Sequence, residues 1–129
     1  MIELRELHEA IASQTNIQAS ILAVSPEQKE KTAALAEKVP VSFPLLSDVT
    51  GQVMEDYKVA WVIPQKIRDL YMENFNRDLN AINTGAGWVL PVPATYIINQ
   101  EGDIVSRYVN EDYTSRMEPS DIVNIIQSL

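Results

Sequence analysis

Short apolar runs alternate with amphipathic helical segments along almost the whole chain, and this alternation constrains the fold more than any other feature. Leu4, Leu7 and Ile11 recur at helical spacing with charged residues between them. This periodicity predicts an amphipathic helix over residues 2–13. The run from Ile21 to Val24 is continuously apolar, as in a central strand covered on both faces. Helices that alternate with such strands indicate an α/β layered domain with a mixed sheet.

Capping and turn residues mark the remaining elements. Ser25, Pro26 and Gln28 form a helix start signal, which predicts a helix from Pro26 to about Lys38. Asp48 is predicted to cap a short helix in "VTGQVMEDY". A short extended piece is predicted at "SFPLL", a helix from Pro64 toward Leu79, and a flexible connection at "NTGAG". The segments "ATYIIN" and "DIVSRYV" are predicted to form a hairpin with a bulge and with Gly102 at positive φ. The last prediction is a C-terminal helix with a buried stripe of Ile122, Ile125, Ile126 and Leu129.

Length and charge bound the class of protein. A chain of 129 residues is the size of one domain, so we expect a single domain over residues 1–129. The net charge of -8 opposes binding to nucleic acid and to anionic membranes. No apolar run reaches the roughly 20 residues that cross a bilayer, and the charged N-terminus is unlike a signal peptide. We therefore expect a cytoplasmic protein.

The chemistry that the residue types permit is narrow. The chain contains no cysteine and one histidine, which excludes thiolate nucleophiles, disulfides, Cys-ligated metals and a His-rich metal site. His8 lies between polar helix positions, where we expect it to be solvated. Ser25, Ser47 and Thr95 do not lie in a Gly-x-Ser-x-Gly elbow, so serine hydrolase chemistry is disfavoured. We expect no catalytic residue, metal or cofactor.

Three segments, in this order, carry a family resemblance. They are "ILAVSPEQKEKTAALAEK", "FPLLSDVTGQVMEDYKV" and "WVLPVPATYIINQEGDIVSRYVNEDYTSRMEPSDI". Together they resemble the alkyl hydroperoxide reductase/thiol-specific antioxidant family, the peroxiredoxin-like branch of the thioredoxin-like superfamily. The resemblance covers nearly the whole chain. It implies a thioredoxin-like three-layer α/β/α sandwich with a mixed sheet, and a thiol-based reduction of peroxides or disulfides.

The same resemblance implies a missing catalytic segment. In such proteins a strand ends at a cysteine where the first helix begins, followed by a sequence like Glu-Leu-Arg. Here the matching residues are Glu3, Leu4 and Arg5, so the resemblance places the cysteine a few residues before Met1. We therefore expect a chain truncated at its N-terminus that is catalytically inactive as it stands.

A former active-site rim is also implied by the resemblance. Pro93 occupies the position of the cis-proline that faces the thiol in the thioredoxin fold, with Val92 and Ala94 beside it. Thr95 and Trp88 would line the same rim. The plain alternatives are that Pro93 is an ordinary proline at the start of a strand and that Trp88 is a packing residue.

The implied missing strand would lie inside the sheet, between "ASILAV" and "ATYII". Each buried backbone group left unpaired costs on the order of 1–3 kcal/mol, against the roughly 5–15 kcal/mol that stabilises a domain. The two strands could pair directly, a second chain could supply an edge, or an upstream segment could fill the gap. We favour a homodimer through the opened sheet edge or by strand exchange, or a shortened chain. The alternative function is a non-catalytic dimeric binding or assembly module, able to add an extended peptide as a strand.

Overall fold

The computed structural model of the chain describes residues 2–13, 18–38, 43–74, 87–112 and 115–129. Helices and short strands alternate through these residues, which confirms the predicted mixed α/β content. The helices are α1 (Ile2–Ala12), α2 (Lys29–Lys38), α3 (Gln52–Asp56), α4 (Gln65–Asn74) and α5 (Pro119–Gln127). The strands are β1 (Ala23–Ser25), β2 (Leu45–Ser47), β3 (Ala60–Val62), β4 (Val89–Pro91), β5 (Ala94–Ile98) and β6 (Ile104–Val109).

The described strands pair two by two. β1 and β2 are parallel, whereas β3 with β4 and β5 with β6 are antiparallel. Among the described residues these pairs form three separate two-stranded sheets, so the predicted single mixed sheet is not observed there. Direct pairing of "ASILAV" with "ATYII" is wrong, because β1 pairs with β2 and β5 with β6. Strands of three residues offer few ladder hydrogen bonds, which limits how widely a sheet extends.

Contacts between residues divide the chain into two compact units. The first unit comprises Met1–Ile21, Val41–Phe43 and Pro93–Leu129, and the second comprises Leu22–Pro40 and Pro44–Val92. The first unit therefore combines the two ends of the chain, whereas the second is built mainly from its middle. A single domain over residues 1–129 stays a prediction.

The core of the first unit lies between α1, α5 and the β5–β6 hairpin. Its buried side chains are Leu7, Ile11, Ile97, Ile122 and Val123. The predicted stripe of α5 is confirmed for Ile122, which is buried, and for Ile125 and Ile126, which pack against this core. It is wrong for Leu129, which is 63% exposed. Leu129 follows the end of α5 at Gln127, so the helical periodicity no longer directs its side chain into the core.

The turn between β5 and β6 agrees with the predicted hairpin. Gly102 has a φ of 90°, a conformation that glycine adopts without steric cost. Asn99 closes the turn, since its backbone N–H donates to the Asp103 carbonyl and its side-chain Oδ1 accepts the Asp103 N–H, both at 2.9 Å. The register shifts between Ile97 and Ile98, which is the predicted bulge.

In the second unit, α2 packs beside the β1–β2 sheet. The Thr32 hydroxyl of α2 and the Ser47 hydroxyl of β2 are hydrogen-bonded at 2.7 Å. The prediction that β1 is covered on both faces is wrong, because Leu22 is 62% and Val24 44% exposed. β1 has one neighbouring strand, and Val24 lies on the opposite face from Ser25.

The helix starts in the second unit depend on short-range hydrogen bonds. Ser25 Oγ accepts the Glu27 N–H at 3.3 Å, which makes a turn, and α2 begins at Lys29 rather than at the predicted Pro26. Asp48 is confirmed as a cap, since its two carboxylate oxygens accept the N–H groups of Val53 and Met54 at 3.1 and 3.0 Å.

The fourth helix follows Pro64, as predicted, and extends from Gln65 to Asn74. Its predicted continuation toward Leu79 lies outside the described residues, as does "NTGAG" except for its last glycine.

Candidate functional site

The five rim residues are divided between the two units. Trp88 and Val92 belong to the second unit, and Pro93, Ala94 and Thr95 belong to the first. Each group has its own set of hydrogen bonds and packing contacts.

Pro93 lies directly before β5, and the backbone groups on both sides of the Val92–Pro93 bond are hydrogen-bonded. The Val92 N–H donates to the Val59 carbonyl at 2.7 Å, and the Pro93 carbonyl accepts the Asn110 N–H at 3.2 Å. No cis peptide bond occurs among the described residues, so the prediction of a cis bond before Pro93 is wrong. The trans form of an X-Pro bond is favoured by about 0.5–1 kcal/mol, and both flanking backbone groups are already paired.

Thr95 lies opposite a polar cluster that the sequence analysis missed. Its cross-strand partner is Tyr108, whose hydroxyl is hydrogen-bonded to the Ser115 hydroxyl at 2.6 Å and accepts from Asn110 Nδ2 at 3.4 Å. The hydrogen bond with Ser115, followed by that with Asn110, lowers the pKa of the Tyr108 hydroxyl below its usual value. No local pattern reveals this cluster, because Tyr108 and Ser115 are seven residues apart and do not share one helix or strand. Ala94 is exposed and pairs with Val109.

Trp88 forms the centre of a second cluster. The Arg68 guanidinium lies over its ring, 5.8 Å from the centroid, and the Tyr71 ring is 6.2 Å away and tilted by 51°. Arg68 Nε donates to the Ile63 carbonyl at 2.8 Å, and the Ile63 N–H donates to the Trp88 carbonyl at 2.9 Å. Ile63 itself is 0% exposed. Trp88 is therefore a partly buried ring fixed beside a cation.

Arg68 and Tyr71 were also not identified as site residues from the sequence. They are three residues apart on α4, so they share one helix face. This spacing was the available signal. It does not identify Trp88 as their partner, because Trp88 lies in a different part of the chain.

The remaining candidate side chains have structural surroundings. Ser25 and Ser47 are register partners at the ends of β1 and β2, and Ser47 bonds to Thr32. His8 is half-buried, with its ring 5.8 Å from that of Phe43. The prediction that His8 is solvated holds in part, because its side chain is half-buried.

In the part of the chain that the structure describes, no three His, Asp or Glu side chains come together in a group that could hold a metal ion. None of the described helices combines the length and the apolar character that crossing a bilayer requires.

Comparison with known proteins gives one finding. A family model described as the AhpC/TSA family matches residues 1–107 of the chain. The match includes all five rim residues. None of the curated proteins matches the chain.

Proposed function

Because the chain belongs to the AhpC/TSA family, we propose that it is the scaffold of a thioredoxin-like thiol peroxidase and that it does not catalyse peroxide reduction by itself. The observation that supports this proposal is the absence of cysteine from all 129 residues. A three-layer sandwich with a mixed sheet, in a single domain, belongs to the same proposal and is supported by the family match. A cytoplasmic location is part of the same proposal.

The chemistry explains why no other residue replaces the thiol. A thiolate sulfur attacks one peroxide oxygen, the O–O bond breaks, and the products are a sulfenic acid and water or an alcohol. A second thiol then reduces the sulfenic acid and forms a disulfide. Serine, threonine and tyrosine hydroxyls do not pass through this cycle. The four methionines can be oxidised to sulfoxides, but their recovery requires a separate reductase.

A peroxide consumption assay tests the proposal. The purified chain is mixed with dithiothreitol and a large excess of hydrogen peroxide or cumene hydroperoxide, and peroxide loss is followed against protein-free and heat-unfolded samples. We expect no thiol-dependent turnover, and at most a slow loss of four equivalents per chain through the four methionines. Sustained thiol-dependent consumption beyond that stoichiometry would show that the proposal is wrong.

The position of the cysteine has an independent test. The proposal expects that a complete parent carries this residue upstream of Met1, at the N-terminus of α1, where a helix dipole lowers a thiol pKa. The DNA before the Met1 codon is read for an open frame that encodes a strand ending at a cysteine. A stop codon directly before Met1 would contradict this expectation and favour the alternative below.

The alternative is a non-catalytic dimeric binding module, and the exposed β1–β2 sheet favours it. Leu22, Val24 and Leu46 are 62, 44 and 43% exposed, and Val24 and Leu46 are register partners on one face. Two-stranded sheets have free edges that readily pair with another chain. The occupant that we propose is a second copy of this chain, since an edge that pairs with itself generates a closed two-fold dimer.

Light scattering after size-exclusion chromatography tests this alternative. We expect a dimer for the unsubstituted chain and a monomer for Val24→Lys, because a charged side chain on an exposed edge strand opposes pairing with another chain. Val53→Lys is the matched control, since Val53 is 40% exposed on α3, and it should stay dimeric. A monomer at every concentration of the unsubstituted chain would exclude the dimeric module.

A further inference from the structure

Arg68 is a half-buried cation that has no ion-pair partner among the residues that the structure describes. Its Nε is bonded to the Ile63 carbonyl, and neither terminal nitrogen has a hydrogen bond within the described residues. The chain has 18 acidic and only 10 basic residues, so carboxylates that could pair with an arginine are abundant in the sequence. The adjacent Asp69 instead accepts Gln65 Nε2 at 2.9 Å. A partly desolvated guanidinium with free donors favours an oxyanion from outside the chain.

The guanidinium is also held in place before any ligand arrives. Its Nε bond leads to Ile63, a residue with no solvent exposure whose own N–H is bonded to the Trp88 carbonyl. Its Cζ lies over the Trp88 ring, 5.8 Å from the centroid. An arginine that is already bonded through Nε loses less side-chain entropy when its two terminal nitrogens bind. Those nitrogens form the edge that matches the two oxygens of a carboxylate.

The surroundings of Arg68 narrow the class of ligand. The Trp88 ring lies beside the guanidinium and the Tyr71 ring lies 6.2 Å from that of Trp88, and aromatic rings favour apolar or aromatic groups. The net charge of -8 opposes multiply charged anions such as phosphate more than singly charged ones. We propose that Arg68 and Trp88 form a binding site for a small monocarboxylic acid that carries an aromatic or apolar group. This site needs no sulfur and is independent of the proposed peroxidase relationship.

Tryptophan fluorescence provides the test. The chain has two tryptophans, so Trp61→Phe leaves Trp88 as the single reporter. In this background phenylacetate, acetate and inorganic phosphate are titrated separately at constant ionic strength. We expect saturable binding of phenylacetate, about tenfold tighter than of acetate or phosphate, and a loss of about tenfold or more in Arg68→Gln, as for a charge-assisted pair. Arg107→Gln, at an exposed position on β6, is the matched control and should bind like the parent.

A measurement on the unsubstituted chain keeps the test independent of whether Arg68→Gln folds. In ¹H–¹⁵N spectra, phenylacetate should shift the Trp88 indole N–H and the Arg68 Nε–H in a saturable way and leave the Trp61 indole N–H unchanged. Absence of a saturable shift at Trp88 would overturn the proposal. Equal affinity for phenylacetate, acetate and phosphate would also overturn it, because the site would then be a simple anion site. So would an unchanged affinity in folded Arg68→Gln.

Discussion

The two units of the molecule differ in the interactions that stabilise each of them internally. In the first unit the buried side chains that form the core are all apolar and come from α1, β5 and α5, which are far apart in the sequence. In the second unit two buried polar side chains, Thr32 and Asp48, accompany the apolar Met54, Val59 and Ile63. The first unit therefore depends on the burial of apolar surface by distant segments, and the second depends in addition on hydrogen bonds between residues close in sequence.

The difference extends to the surfaces of the sheets. In the first unit Ile97 faces the core of its hairpin. In the second unit every residue of β3 is exposed, and the pair of Val24 and Leu46 is exposed on β1 and β2. A short sheet that is covered on one face buries less apolar surface than a packed hairpin. Hydrogen bonds such as those of Asp48 therefore contribute a larger share of the stability of the second unit.

The largest effect is expected in the core of the first unit. Ile122→Ala removes a side chain that is 5% exposed, and we expect a loss of about 2–5 kcal/mol in the free energy of unfolding. Urea unfolding followed by circular dichroism measures it. Leu129→Ala is the control, since an exposed side chain beyond the helix should change stability by less than about 0.5 kcal/mol. Similar losses for both variants would contradict the proposed core.

A smaller effect is expected at the cap of the second unit. Asp48→Ala leaves the N–H groups of Val53 and Met54 without their acceptors, which should cost about 1–3 kcal/mol. The same unfolding measurement applies. Asp56→Ala is the matched control, because Asp56 is exposed and its carboxylate accepts from the side chain of Gln52 (Nε2, 2.8 Å), not from a backbone N–H at the start of α3. A loss at Asp48 no larger than that at Asp56 would show that the second unit does not depend on this cap.

The smallest effect is spectroscopic and concerns Tyr108 in the first unit. Its hydrogen bonds with Ser115 and Asn110 lower its pKa. Tyr108 should therefore ionise at a lower pH than an unperturbed tyrosine, whose pKa is about 10. Absorbance at about 295 nm follows the titration, and Ser115→Ala should move this first step to higher pH, toward the usual tyrosine value. An unchanged titration curve would contradict the contact.

The sign of the associated stability change follows from linkage. A folded pKa below the unfolded one favours the folded state once the group is ionised. This contribution is fully present above the unfolded pKa and is lost as the pH falls through the lower folded pKa. At neutral pH the titration of Tyr108 therefore contributes nothing to the free energy of unfolding. The stability of Ser115→Ala at neutral pH is the control, because this pH-dependent contribution is absent there.

The local features were predictable from the sequence because neighbouring residues determine them. The periodicity of Leu7 and Ile11 identified α1, Asp48 identified the cap of α3, and Gly102 identified the hairpin turn. The errors occurred where local signals compete. Ser25 and Pro26 resemble a helix start, yet Ser25 forms a turn and α2 begins at Lys29.

The candidate site was less predictable than the fold. Trp88 and Pro93 stand out in the sequence, but the partners that define their surroundings come from other elements. Arg68 reaches Trp88 from α4, and Asn110 reaches the Pro93 carbonyl from beyond β6.

The sequence by itself determined the helices, the hairpin and the absence of thiol chemistry, because periodicity, turn residues and residue types act at short range or without any geometry. Only the tertiary structure decided that β1 pairs with β2 alone among the described strands, that Leu22 and Val24 are exposed, and that Arg68 lies over Trp88. Strand pairing and side-chain contacts join residues far apart in the chain, and their free energies depend on which surfaces meet.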